Sequence, residues 1–195
     1  MPVVRRVVLP SAALARLALS AAAPLRTVQP RCGVDRWSVK VMADPDAARI
    51  DTTIIESSIA ALGALPIPEV VYPANGRIPP HEFRVYQVRA VVEQIMTESD
   101  GDWHLVLRDP DATGATLIAE IPSPLCAANT SDGARYVAVR DSLRRVPRRG
   151  VVVVEGVAFW DFIHNQRGRA RNGIELHPVL RLVRDREGVD SRLRD

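Results

Sequence analysis

Lysine is almost missing from this chain. Lys40 is the only one, and every other basic residue is arginine. The same chain is rich in alanine, as GC-rich coding produces, so arginine alone does not signal phosphate recognition. Cysteine is scarce as well. Cys32 and Cys126 are too few for a disulfide-stapled scaffold or a four-thiolate zinc site. Aromatic residues make up 5% of the chain, so a core needs most of them. No apolar run approaches the ~20 residues that span a bilayer, so no permanent transmembrane helix is expected. Gly168 and Gly173 have the spacing of a phosphate-binding loop but lack the Lys-Ser/Thr that follows it. There is no G-x-S-x-G elbow and no cysteine–histidine nucleophile context. What is present is 195 residues, 47% hydrophobic and 25% charged. That composition excludes a wholly disordered chain or a fibre, and the length fits one globular domain with extensions or two very small ones.

The formal charge of +3 and pI near 9.3 point to a polyanionic partner. The distribution qualifies this. Arg5, Arg6, Arg16, Arg26 and Arg31 all precede Cys32 with no acid among them, and setting them aside leaves 21 basic against 23 acidic residues. Within the first 31 residues a basic start, a modest apolar run and the small residues near Ala21 to Ala23 match a secretory signal peptide, although Arg16 interrupts the apolar run. Residues 1–31 therefore read as a signal peptide or a disordered basic tail. Export to the periplasm or the extracellular space is expected, with a cytoplasmic protein as the alternative. In an oxidising compartment Cys32–Cys126 is the only intramolecular bridge available. In the cytoplasm both cysteines would be buried thiols.

Trp37, Val39 and Val41 alternate with polar residues at strand period. Thr53 and Glu56 have the spacing of a capping box, and Ile55, Ile59 and Leu62 repeat at helical spacing, which predicts a helix over about 52–62. Residues 66–80 are too rich in proline for regular structure. Residues 32–80 thus form an N-terminal arm, a short helix and a Pro-rich linker. From residue 81 the pattern changes. Strands are predicted over 84–93, 103–108, 116–121, 151–159 and 174–183, with a helix over 132–145. Gly156 marks a bulge or bend, and Pro178 requires an edge or a bulge. The order β-β-β-α-β-β is that of the OB-fold, a mainly β, five-stranded barrel with its helix between the third and fourth strands. The barrel is expected over 81–184, with a charged tail over 185–195.

Several segments support a family resemblance. They are Cys32 to Lys40, Gly101 to Leu107, Ile118 to Pro122, Gly156 to Phe162 with His164, and Asn172 to Val179. On these the chain resembles a family of uncharacterised exported bacterial proteins, over about residues 32–182. The resemblance implies export and an OB-like barrel, and it carries no catalytic or binding residue over to this chain. Arg16 and the arginine-rich loop after His164 depart from the family pattern.

Three constellations are candidates for function. The loop from Asp161 to Gly173 joins the last two strands, a position that flanks the ligand face of OB-folds. Its Arg167, Arg169 and Arg171, with Asn172 and the nearby Trp160, Phe159 and Phe162, have the chemistry to contact phosphates and stack a base or a sugar. The blander reading is a solvated loop with its aromatics in the core. The second constellation is His104, His164 and His177 with Asp161 and Glu175. A divalent metal held by Asp161, His164, Glu175 and His177 is the candidate there, against satisfied histidines as the simpler account. The third is Glu120, Asp161 or Glu175 as a general base, against solvated carboxylates. The expectation is a non-enzymatic binding module of unknown ligand, with no cofactor and with a polyanion, nucleic acid or saccharide as partner. A metal-dependent hydrolase or nuclease, or a structural cell-envelope protein, are the alternatives.

Overall fold

The computed structural model describes residues 31–185 apart from Val34 and Arg148. The signal-peptide reading and the charged tail beyond Asp185 fall outside the described residues. In chain order the elements are α1 (Trp37–Lys40), β1 (Asp51–Ser57), α2 (Ile59–Gly63), β2 (Arg84–Thr97), β3 (Trp103–Arg108), β4 (Thr116–Ile121), α3 (Gly133–Leu143), β5 (Val151–Trp160) and β6 (Ile174–Arg184).

β2 is long because it serves two neighbours within the barrel. Its first half, Val85 to Val91, pairs antiparallel with β5, and its second half, Val91 to Thr97, pairs antiparallel with β3. A register shift between Val92 and Gln94 lets it turn from one to the other, as a bulge does. β3 then pairs with β4, β4 pairs parallel with β6, and β6 pairs antiparallel with β5. The closed order β2-β3-β4-β6-β5 is an OB-like five-stranded barrel with α3 between its third and fourth strands, as the order of predicted elements implies. Leu105, Leu107, Leu117, Ala119, Ile121, Val152, Val154, Ala158, Ile174 and Leu176 point inward, and Tyr136, Val139 and Leu143 of α3 join that core. The Tyr136 hydroxyl donates to the Val41 carbonyl (3.0 Å). Gly156 and Pro178 share one irregularity. The β5–β6 register breaks on both sides of Gly156, and a Cβ there would lie 2.9 Å from the Leu176 Cβ and 3.0 Å from the Pro178 carbonyl oxygen.

Two predicted elements of the N-terminal arm are corrected. The segment after Thr52 is not one helix. It is β1, a parallel edge strand on β2, followed by α2, whose N-cap Ser58 accepts from the Ala61 amide (3.0 Å). The run Thr52-Thr53-Ile54-Ile55 is β-branched throughout and favours a strand where an edge is available. The alternation at Trp37 to Val41 is a helical turn instead of a strand. Arg36 takes a left-handed conformation (φ 54°) just before it, and its guanidinium is buried in a bidentate pair with Glu82 at 2.8 and 2.7 Å. That anchor turns the chain, and Val39 and Val41 reach the interior from a helical turn.

Cys32 and Cys126 form the disulfide, with their Cα atoms 5.4 Å apart. The bridge fastens the start of the arm to the loop ahead of α3. Among the described residues no helix is long and apolar enough to cross a membrane.

Candidate functional site

Side chains alternate across each barrel strand. With Leu105, Ala119, Ile121 and Leu176 facing inward, the outer face of β3, β4 and β6 receives His104, Glu120, Glu175 and His177. An outward position is ordinarily solvated. Here all four are buried, because other parts of the chain lie over this face. The loop after β5 descends onto β3, where the Arg167 carbonyl sits 3.2 Å from His104 Nε2. At Gly168 (φ +84°) a Cβ would lie 2.5 Å from Val106 Cγ1. From the other side the arm places the Arg36 guanidinium 4.6 Å and Lys40 Nζ 5.5 Å from the centre of the Phe159 ring.

The polar groups under this cover form one cluster. His104 Nδ1 donates to Glu120 Oε1 (2.9 Å), and its Nε2 donates to the Arg167 carbonyl. An imidazole with acceptors at both nitrogens carries both protons. Burial opposes that charge, but the Glu120 hydrogen bond and charge, the Arg167 carbonyl and Glu98 raise the His104 pKa above its ordinary value. Burial likewise works against the Glu120 carboxylate. The His104 hydrogen bond and the charges of His177, Lys40 and His104 outweigh burial and hold Glu120 at about 2. His177 lies next to it, with Nδ1 3.2 Å from Glu120 Oε2 and Nε2 3.4 Å from Asp102 Oδ2. Neither contact has hydrogen-bond geometry, and both ring nitrogens are without a hydrogen-bond partner among the described residues. Glu175 is fully enclosed, and burial together with the Glu120 and Asp161 charges pushes its carboxyl well above the ordinary range. A cleft of about 380 Å³ opens beside the cluster. Glu120 contributes to its lining with Asp35, Glu98, Asp100 and Asp161, opposed by Lys40.

The metal set read from the sequence does not converge. Asp161 Oδ2 is 3.9 Å from His164 Nδ1, but His164 is exposed and bonds the Phe162 carbonyl (2.6 Å). The group whose donor atoms come together among the described residues is Asp102, Glu120 and His177. Of the predicted four, only His177 belongs to it. Asp102 is the member that sequence reasoning misses, because it reads as the end of a hairpin turn.

The predicted ligand-binding set divides by exposure. Trp160 lies inside the barrel, 1% exposed, and cannot stack on a ligand. Asn172 is also buried, and its Nδ2 donates to the Leu62 and Leu65 carbonyls (2.9 Å each), fastening the loop to α2. Phe159 is buried, whereas Phe162 is half exposed beside the Tyr72 ring. Arg167 and Arg171 are exposed and Arg169 partly so. Arg36, Arg77, Arg84, Arg89, Arg108 and Arg181 each pair with a carboxylate. No such partner lies within ion-pair distance of Arg167, Arg169 or Arg171 among the described residues. Arg169 and Arg171 border a hollow of about 310 Å³ shared with Ala60, Gly63 and Gly114.

No family model matches the chain, and no curated protein does. Solved structures match by shape. One is a crystal structure of a putative aspartyl-tRNA synthetase from Leishmania major Friedlin, with 13% identity and a TM-score of 0.43 over 69% of this chain and 21% of that one. Another is the asparaginyl-tRNA synthetase of Entamoeba histolytica, with 9% identity and a TM-score of 0.41 over 72% of this chain and 26% of that one. The chain thus spans about a fifth to a quarter of these two enzymes.

Proposed function

We propose that this protein is a non-enzymatic OB-like binding module of an exported, oxidising compartment, and that it engages a polyanion through the loop between β5 and β6. The observation that carries the reading is the three-arginine set. Arg167, Arg169 and Arg171 alternate along one loop, reach the surface to different degrees, and have among the described residues no carboxylate partner of the kind that other arginines have. Guanidinium groups without a carboxylate partner are available to phosphate, and the one bond among the three, from Arg169 to the Ala170 carbonyl (3.3 Å), is long and neutral. The loop lies where OB-folds carry one of the two loops that flank bound oligomers. The Cys32–Cys126 bridge supports the compartment, since structural disulfides persist where thiols are not kept reduced. The hydrolase reading has weaker support, because Asp161, His164, Glu175 and His177 do not converge.

The test is binding of the full chain to a fluorescent single-stranded oligonucleotide at two or more salt concentrations. Three phosphate contacts on a single strand predict a slope of log K against log salt of about −2. Replacing the three arginines with alanine should leave the fold intact, flatten that slope and abolish binding. No binding at low salt would remove nucleic acid as the ligand. Unchanged affinity in the triple variant would move the site away from this loop.

A further inference from the structure

We propose that Asp102, Glu120 and His177 form a binding site for a divalent transition-metal ion of the zinc type. One ring nitrogen of His177 and one oxygen from each carboxylate lie within 4.8 Å of one another. Two donors bound at ~2.1 Å to one ion stand roughly 3–4 Å apart, so the approach needed is small. Glu120 Oε2 stands 3.2 Å from Nδ1 and Asp102 Oδ2 3.4 Å from Nε2, so whichever ring nitrogen takes the ion, the carboxylate beside the other one swings toward it.

The imidazole distinguishes this group from an ordinary cluster of acids. His177 is completely enclosed, and neither nitrogen makes a hydrogen bond. Buried polar groups are nearly always satisfied, and an unsatisfied one carries its full desolvation penalty. A metal ion would accept the nitrogen lone pair and both carboxylate charges together. One nitrogen and two oxygens suit zinc or manganese better than a purely oxygen-seeking ion. Three protein ligands leave a coordination position open.

The surroundings support the same assignment. His104 holds Glu120 Oε1, which leaves Oε2 on the His177 side, and a histidine–carboxylate contact of this kind commonly orients a metal ligand. The Ser123 amide donates to Asp102 Oδ1 (2.7 Å), which leaves Oδ2 facing His177. The ligands sit on or beside β3, β4 and β6, so the barrel fixes their separation. The carboxylate-lined cleft that reaches Glu120 gives a cation a route to the site, with Lys40 opposing it.

The experiment uses the full chain with its disulfide intact, stripped with chelator and titrated with Zn2+ and with Co2+. One equivalent should bind, Zn2+ should raise the melting temperature, and Co2+ should give visible absorption bands of an ordered site. Asp102→Asn and Glu120→Gln keep side-chain shape and should each weaken binding by roughly tenfold or more. His104→Gln, acting through Glu120, should weaken it by about 10- to 100-fold. His164→Ala should bind as the parent does. The proposal is overturned if the folded parent protein takes up neither ion, or if binding survives undiminished in both carboxylate variants. The parent's own thermal shift and Co2+ spectrum decide the matter even where a variant fails to fold. Oligonucleotide binding in the presence of chelator reports on the arginine loop alone, so the two readings fail separately.

Discussion

Arg36 shows how one side chain can organise a segment that has little secondary structure of its own. Its guanidinium meets both oxygens of Glu82 and also donates to the carbonyls of Pro73, Gly76 and Trp160, at 3.1, 2.9 and 2.9 Å. Glu82 in turn accepts from the Ile78 and Trp160 amides (2.6 and 2.8 Å). Arm, Pro-rich linker and β5 are therefore held at one point. Removing one partner of a buried ion pair leaves the other charge uncompensated, so Arg36→Ala should lower stability by about 3–5 kcal/mol in urea unfolding. Arg36→Lys keeps the charge but loses the planar fork, and should recover only part of that. A loss under ~1 kcal/mol for the alanine variant would show that the arm is fastened mainly elsewhere.

At the scale of elements, the loop from Asp161 to Gly173 depends on close backbone approach. Gly168 and Gly114 both have positive φ (+84° and +77°), but a Cβ at Gly168 meets Val106 whereas one at Gly114 meets nothing within 4 Å. Gly114→Ala should therefore show only the left-handed penalty of about 1–2 kcal/mol. Gly168→Ala should lose more and should speed amide exchange along the loop. Equal losses would mean that Val106 yields without lifting the loop. The barrel strands are legible from the sequence because alternating or continuous apolar runs of six or more residues, bounded by turns, leave few other solutions, and α3 is legible from Tyr136, Val139 and Leu143 at helical spacing in a stretch without turn residues. The arm was not, since Trp37 to Val41 is too short for its pattern to prevail over the Arg36 anchor. Ser58 caps α2, but the β-branched run before it follows the free edge of β2. The candidate site was half legible. Period two places Asp102 and His104 on one face, and Glu175 and His177 on another. Their meeting at Glu120 requires the parallel β4–β6 register, which no local pattern encodes.

At the scale of the molecule, the Cys32–Cys126 bridge joins residues 94 apart in sequence. For a loop of that size the chain-entropy account assigns about 4–5 kcal/mol. Reduction, or Cys32→Ser, should lower the unfolding midpoint by a corresponding amount. An unchanged midpoint would mean that the arm stays docked without the covalent tie. The bridge also matters to the outer face of β3, β4 and β6, since the arm it fastens provides part of that face's cover.

The barrel is not closed evenly around its circumference. β2 and β5 are paired continuously from Val85 through Val91, whereas β4 meets β6 only at Ile118 with Glu175 and Ala119 with Leu176. Segments with few backbone pairs fluctuate open at lower free energy than the rest, so this seam is where the cylinder should breathe. The Glu120 and His177 side chains stand directly beside it. Transient parting of β4 from β6 would admit water or an ion to His177, which is fully enclosed in the resting barrel, without unfolding the other seams. Amide exchange on β4 and β6 around Ala119 and Leu176 should then outpace exchange along β2 and β5, and a bound ion at Glu120 should slow it.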